Sequence, residues 1–225
     1  MKIRKKLIPF ILACFLIPCF NGFNLVSGQD RLVEKIKPEE AKRLLVEGNI
    51  RFFSGKALYP RQNDDRRKEI ANGQHPFAVI LGCSDSRTGP EILFDQGLGD
   101  LFVAREAGNV LDDHSTGSIE YAVEHLHVSL IVVLGHQHCG AIAAARDTAV
   151  AEGHIKSIVA SIQPAVNTTR GQDAEATCRA NIMNNVVALQ TSEPLLKHLV
   201  DSGDVVVVGA YYNLDSGIVT FLEEK

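Results

Sequence analysis

Phe77-Ala78-Val79-Ile80-Leu81-Gly82-Cys83-Ser84-Asp85-Ser86-Arg87 runs from an unbroken apolar stretch through a glycine into a cluster of reactive side chains. Leu130-Ile131-Val132-Val133-Leu134-Gly135-His136-Gln137-His138-Cys139 repeats that layout some fifty residues on. Apolar runs of this length, without polar alternation, are strands buried on both faces, the mark of a parallel sheet lying between helices. Ligands of such open sheets bind in the crevice at the carboxyl ends of the strands. Two cysteines, a histidine and a carboxylate at two such ends make a candidate zinc site.

The flanking sequence supports an α/β fold with a mainly parallel central sheet. Strands are expected at Phe77–Gly82, Leu101–Ala104, Leu130–Gly135 and Val205–Gly209, and a last one at Ile218–Leu222. The final two are spaced as a hairpin, so the last strand is expected at an antiparallel edge. Helical patterning falls at Ser115–Leu126, Cys139–Ala149, Ile155–Gln163, Ala174–Gln190 and Pro194–Asp201. Ahead of the sheet, Lys37-Pro38-Glu39-Glu40 opens a helix whose apolar positions are Ala41, Leu44, Leu45, Ile50 and Phe53. Proline and acids in a first turn suit the helix dipole. A charged helix follows at Asn63–Ala71. Together these two predict an N-terminal helical arm that packs on another subunit or on the sheet edge.

The first 28 residues read differently. Met1–Lys6 carries four basic residues, Leu7–Phe20 is apolar, and Val26-Ser27-Gly28 is a small-residue exit. That is the layout of a secretory signal peptide. Pro9 and Pro18 interrupt the apolar run, which is shorter than the ~20 residues a membrane span needs. The chain is therefore expected to be exported, periplasmic or secreted, with signal peptide 1–28 and one domain over 29–225. A lipoprotein route through Cys14 or Cys19 is the weaker alternative. Four of the 23 basic residues and none of the 27 acidic ones lie in this leader, so the mature chain is clearly acidic. That balance excludes a nucleic-acid partner. Three cysteines remain, Cys83, Cys139 and Cys178, an odd number unsuited to a disulfide scaffold.

His136 and Cys139, three apart at a predicted helix start, are expected to share a face. With Cys83 they form a Cys2His set, which gives zinc three protein ligands and leaves a fourth position free, as in catalytic sites. His138 is expected to point elsewhere. Asp85 leaves two alternatives open. Bound to zinc it would shut the site; paired with Arg87, whose planar fork grips a carboxylate at two points, it would leave the position open to water. The chemistry this favours is hydration or hydrolysis.

These motifs, with Pro90–Val103, Gly117-Ser118-Ile119-Glu120-Tyr121-Ala122 and Gly140-Ala141, closely resemble the β-class carbonic anhydrases from roughly Pro38 to Leu222. The resemblance implies reversible hydration of carbon dioxide to bicarbonate by zinc-bound hydroxide, with one zinc per chain on Cys83, His136 and Cys139. It puts a catalytic dyad on Asp85 and Arg87. It also places a substrate pocket on Gln74, Phe102, Tyr121 and Gly140, with the apolar wall partly supplied across the interface of a homodimer or homotetramer. Spacing alone would leave Phe102 and Tyr121 as core residues and Gln74 as a loop residue. Two positions depart from the family pattern: Glu106 stands where asparagine is common, and Thr88 where an apolar residue is usual. Alternative readings are a related hydrolase of carbon disulfide or carbonyl sulfide, and a non-catalytic member.

Overall fold

The computed structural model describes residues 36–147 and 151–223. The expected signal peptide lies outside the described residues, as does the end of the helix expected at Cys139–Ala149. Strands β1 (Ala78–Gly82), β2 (Leu101–Arg105), β3 (Leu130–His136), β4 (Val206–Tyr212) and β5 (Val219–Phe221) form one sheet in the order β2-β1-β3-β4-β5. The first four are mutually parallel and β5 runs antiparallel to β4. Every residue of β1 and β3 is buried, which explains their unbroken apolar runs.

Alternate residues of each strand feed two cores. Val79, Leu81, Ile131, Val133 and Val207 face α4 (Asp113–His125), α5 (Gly140–Arg146), α6 (Ile155–Thr168), α7 (Ala174–Gln190) and α8 (Leu196–Asp201). Ala78, Ile80, Leu130, Val132 and Leu134 face α1 (Pro38–Phe53) and α3 (Pro90–Leu93). The charged α2 (Asp64–Glu69) buries nothing and connects α1 to β1. No helix among the described residues is long and apolar enough to cross a membrane.

Several boundaries move for local physical reasons. β4 runs on to Tyr212 because that residue pairs with His136 at the end of β3. α4 begins at Asp113 because Asp112 and Ser115 form a reciprocal cap, with Ser115 N–H on Asp112 Oδ1 at 2.7 Å and Asp112 N–H on Ser115 Oγ at 2.9 Å. α6 does not stop at Gln163. It continues through Pro164 to Thr168, since fully buried Ile162 and Ala165 anchor it on both sides of the missing proline N–H. The four-residue α3 was not anticipated.

The N-terminal helix lies on its own sheet's face rather than at the edge. Ala41 and Leu45 are fully buried there, whereas Val46, Ile50 and Phe53 remain exposed. Asn49 ties this helix down: its Nδ2 donates to Leu93 O and Gly217 O, each at 3.0 Å, and its Oδ1 accepts from Val219 N–H at 2.9 Å. Gly48 permits the approach, because a Cβ there would stand 1.7 Å from Phe94 O. Gly48→Ala should therefore destabilise the fold by roughly 3 kcal/mol, the upper end for overpacking. Urea unfolding measures this, and a change below about 0.5 kcal/mol, the range of surface substitutions, would refute the tight docking of α1.

Candidate metal centre

The site exists because β1 and β3 are adjacent and parallel, with Gly82 beside Leu134. Cys83 is the first residue past β1, His136 the last of β3, and Cys139 the N-cap of α5. The expectation that His136 and Cys139 share a helix face is corrected. Pairing with β4 keeps the chain extended through His136, and the turn Gln137–His138, with His138 at φ +53°, doubles it back to Cys139. A turn, not helical periodicity, brings the two ligands together.

The candidate ligand atoms of Cys83, His136 and Cys139 all lie within 4.8 Å of one another, and all three residues are buried. His136 Nδ1 lies 2.8 Å from Gln137 O. A carbonyl only accepts, so Nδ1 carries the proton and the neutral ring turns the Nε2 lone pair toward the sulfurs. Nε2 is buried with no hydrogen-bond partner. An orphaned acceptor of that kind is costly in an apolar setting, and beside two thiols it is a metal donor. The set fits zinc.

The two thiols are unequal. Cys139 S–H and the backbone N–H groups of Asp85 and Gly108 favour the Cys83 thiolate, and they overcome the opposing effect of burial. Cys139 moves the other way, pushed up by the neighbouring Cys83 and by burial. Cys83 is thus the sulfur that loses its proton first. Cys178 is buried and pushed up to about 12 by desolvation. Its S–H donates to His136 O at 3.4 Å, so it backs the ligand strand and stays a thiol.

Of the two alternatives for Asp85, the structure has the pairing with Arg87. Arg87 Nε and backbone N–H both donate to Asp85 Oδ1 at 2.9 Å, and Nη2 donates to Oδ2 at 2.7 Å. The guanidinium holds the Asp85 carboxyl well below the usual carboxylate range. Asp85 Oδ2 remains 4.0 Å from His136 Nε2, beside the ligand group. Arg87 Nη2 also reaches His138 O at 3.3 Å, linking the loop after β1 to the turn after β3.

Other supports were not anticipated. Arg105, at the end of β2, donates to Cys83 O at 2.8 Å and to Asp85 O at 2.6 Å. Thr88 is buried, and its hydroxyl reaches Asp85 O at 2.9 Å and Cys83 O at 3.3 Å. Its departure from an apolar residue is therefore a hydrogen-bonding change. A basic residue closing a buried strand was the available signal for Arg105; nothing in the sequence pointed to the bonds of Thr88.

The expected pocket residues divide. Gly140 opens α5 next to Cys139, and a Cβ there would meet nothing within 4 Å. Gln74 is exposed, ahead of β1. Phe102 pairs with Val79, so it sits about 13 Å back along the sheet from the level of Cys83. Tyr121 lies 6.3 Å from it, ring to ring, and is 48% exposed. Phe102 and the ring it meets thus lie away from the level of the ligand group in their own chain. Glu106, the other departure from the family pattern, is exposed.

Residues 78–219 match the family model described as carbonic anhydrase. Carbonic anhydrase 2 of Mycobacterium tuberculosis is 41% identical over 190 residues, spanning 80% of this chain and 90% of that protein. The carbonic anhydrase of Mycolicibacterium smegmatis is 42% identical over 189 residues, spanning 81% and 92%. Among solved structures, a tetrameric β-carbonic anhydrase of Sordaria macrospora superposes with TM-score 0.67 at 25% identity, over 81% of this chain and 97% of that one. The Coccomyxa β-carbonic anhydrase gives 0.66 at 26% identity, over 80% and 85%. The matched segment carries both strand ends that bear the ligand group, and the likeness extends over four-fifths of the chain; this protein belongs to the β class of the carbonic anhydrase family.

Proposed function

We propose that Cys83, His136 and Cys139 hold one zinc ion and that the chain interconverts carbon dioxide and bicarbonate there. The observation that carries this reading is the orphaned His136 Nε2 facing two buried sulfurs while Arg87 grips the nearby carboxylate. Zinc in that group would supply a Lewis acid that lowers the pKa of water, so that a nucleophile forms near neutral pH. The chain's own residues do the rest. Arg87 keeps the Asp85 carboxylate turned away from the fourth ligand position, and leaves it charged to accept a proton-bearing group beside the metal. Gly140, with open space at its Cα, leaves room for a small planar substrate next to Cys139.

Gln74, Phe102 and Tyr121 complete a pocket only if they come from a second copy. Phe102 lies near the amino end of β2 against Tyr121, Gln74 precedes the amino end of β1, and β2 is the unpaired edge of the sheet. Reciprocal donation between two chains would bring them to the partner's metal group, and a homodimer, or a pair of dimers, follows. The Sordaria macrospora neighbour is described as tetrameric, in keeping with this. Export by the leader at 1–28, leaving 29–225 as the mature domain, belongs to the same reading and rests on that segment's sequence.

Stopped-flow hydration with and without a chelator tests the core claim; activity that persists after complete zinc removal refutes it. Cys139→Ala should lose nearly all bound metal, and stoichiometric zinc in that variant would exclude the ligand set. Arg87→Ala should keep its zinc yet lose about a hundredfold or more in turnover, the scale of a misplaced catalytic group; near-full activity would exclude the dyad. Asp85 has a depressed pKa, so its pairing with Arg87 is complete above the ordinary carboxylate value of ~3.9 and fades only as pH falls towards the lower folded value. Hydration rates should therefore show no Asp85 titration between pH 6 and 9. Light scattering that found a fully active monomer would exclude the shared pocket.

A further inference from the structure

The chain beyond β2 folds over the metal group in an unfavourable conformation. In the 3-10 turn Ala107–Asn109, Gly108 has φ +71° and Asn109 φ +46°, the latter a left-handed value at a residue with a side chain. Gly108 is also confined. A Cβ there would stand 2.8 Å from Ile162 Cδ1 and 2.9 Å from Ala141 Cβ. What this turn delivers to the site is one hydrogen bond, from Gly108 N–H to Cys83 Sγ at 3.2 Å.

The groups that hold the turn are remote in sequence. Asn181 Nδ2 donates to Gly108 O at 2.9 Å, and Asn185 Nδ2 donates to Asn109 O at 2.9 Å. Four residues apart on α7, the two carboxamides lie one above the other on a single helix face and meet successive carbonyls. Asn181 is only 2% exposed, and its neighbours Ile182 and Val186 are fully buried in the core, so α7 is a fixed platform. A buried asparagine inside a helix is costly unless its polar atoms are bonded, and here both side chains bond to the same turn.

We infer that Asn181 and Asn185 are positioning residues that fix the Gly108 N–H on the Cys83 sulfur and so set how much electron density this thiolate donates to the metal. The inference rests on the metal reading above. A hydrogen bond to a thiolate is charge-assisted and draws density from the sulfur, and such outer partners tune ligand strength and metal affinity. Without the two carboxamides, the strained turn relaxes, its N–H leaves the sulfur, and Cys83 becomes more electron-rich and easier to oxidise.

The test uses the full chain loaded with cobalt(II), whose thiolate-to-metal charge-transfer band reports the sulfur directly. Asn181→Asp replaces a donor with an acceptor opposite a carbonyl, and half-buried Asn185→Ala is the milder variant if the first fails to fold. Both should move the band to longer wavelength, and zinc retention against a chelator should fall by about tenfold. Asn184→Ala, on the exposed side of the same helix, should leave both readouts unchanged. Folded variants that lose thermal stability but keep the wild-type band would overturn the inference, assigning the asparagines to packing alone. A wild-type chain that takes up neither cobalt nor zinc would instead overturn the metal reading, and this inference with it.

Discussion

The parallel pairing of β1 with β3 is the constraint on which the site depends. It places Gly82 level with Leu134, so Cys83 leaves one strand at the height where His136 ends the other. A slip of one residue would turn the alternate side chains of either strand to the wrong core. The register is held by two apolar sets, one facing α1 and α3, the other facing α4 to α8. Burial on both faces thus does more than stabilise the sheet. It fixes where the two ligand-bearing loops begin.

On that frame the loops are fastened by groups that bond to carbonyl oxygens. Arg105 holds the Cys83 and Asp85 carbonyls from β2, Thr88 holds them from within the loop, and Arg87 crosses to His138. The donor-rich surroundings have an electrostatic consequence. The Cys139 thiol and two backbone N–H groups converge on Cys83 and favour its charged form, whereas burial keeps Cys178 protonated. Burial raises the pKa of every thiol here, and only at Cys83 do donated hydrogen bonds outweigh it.

The position of the expected pocket residues points the same way as the fold's open edge. Phe102 and Tyr121 meet as tilted rings beside β2, whose outer side carries no strand among the described residues. Unpaired edges are usually blunted or covered. In the proposed pairing, a second chain at this edge would cover it and carry these rings towards the candidate ligand group of its neighbour.

The apolar runs, the glycines that end them and the side chains that follow were enough to give the strand positions, the parallel sheet and the three candidate ligands. Each is a local pattern, read within a few residues, because burial on both faces leaves a continuous apolar signature and a strand end needs a turn. The choice between zinc and Arg87 as the partner of Asp85 needed the folded loop, since both options satisfy a carboxylate equally on paper. The turn joining His136 to Cys139 depended on β4, 70 or more residues away, whose pairing at Tyr212 prolongs β3. Arg105, Thr88, Asn181 and Asn185 were not legible as site residues, because a donor to a backbone carbonyl carries no sequence signature when any residue can supply the acceptor. Sequence determined which side chains could hold a metal; only tertiary structure decided which hydrogen bonds hold them, because those bonds join segments that chain order keeps apart.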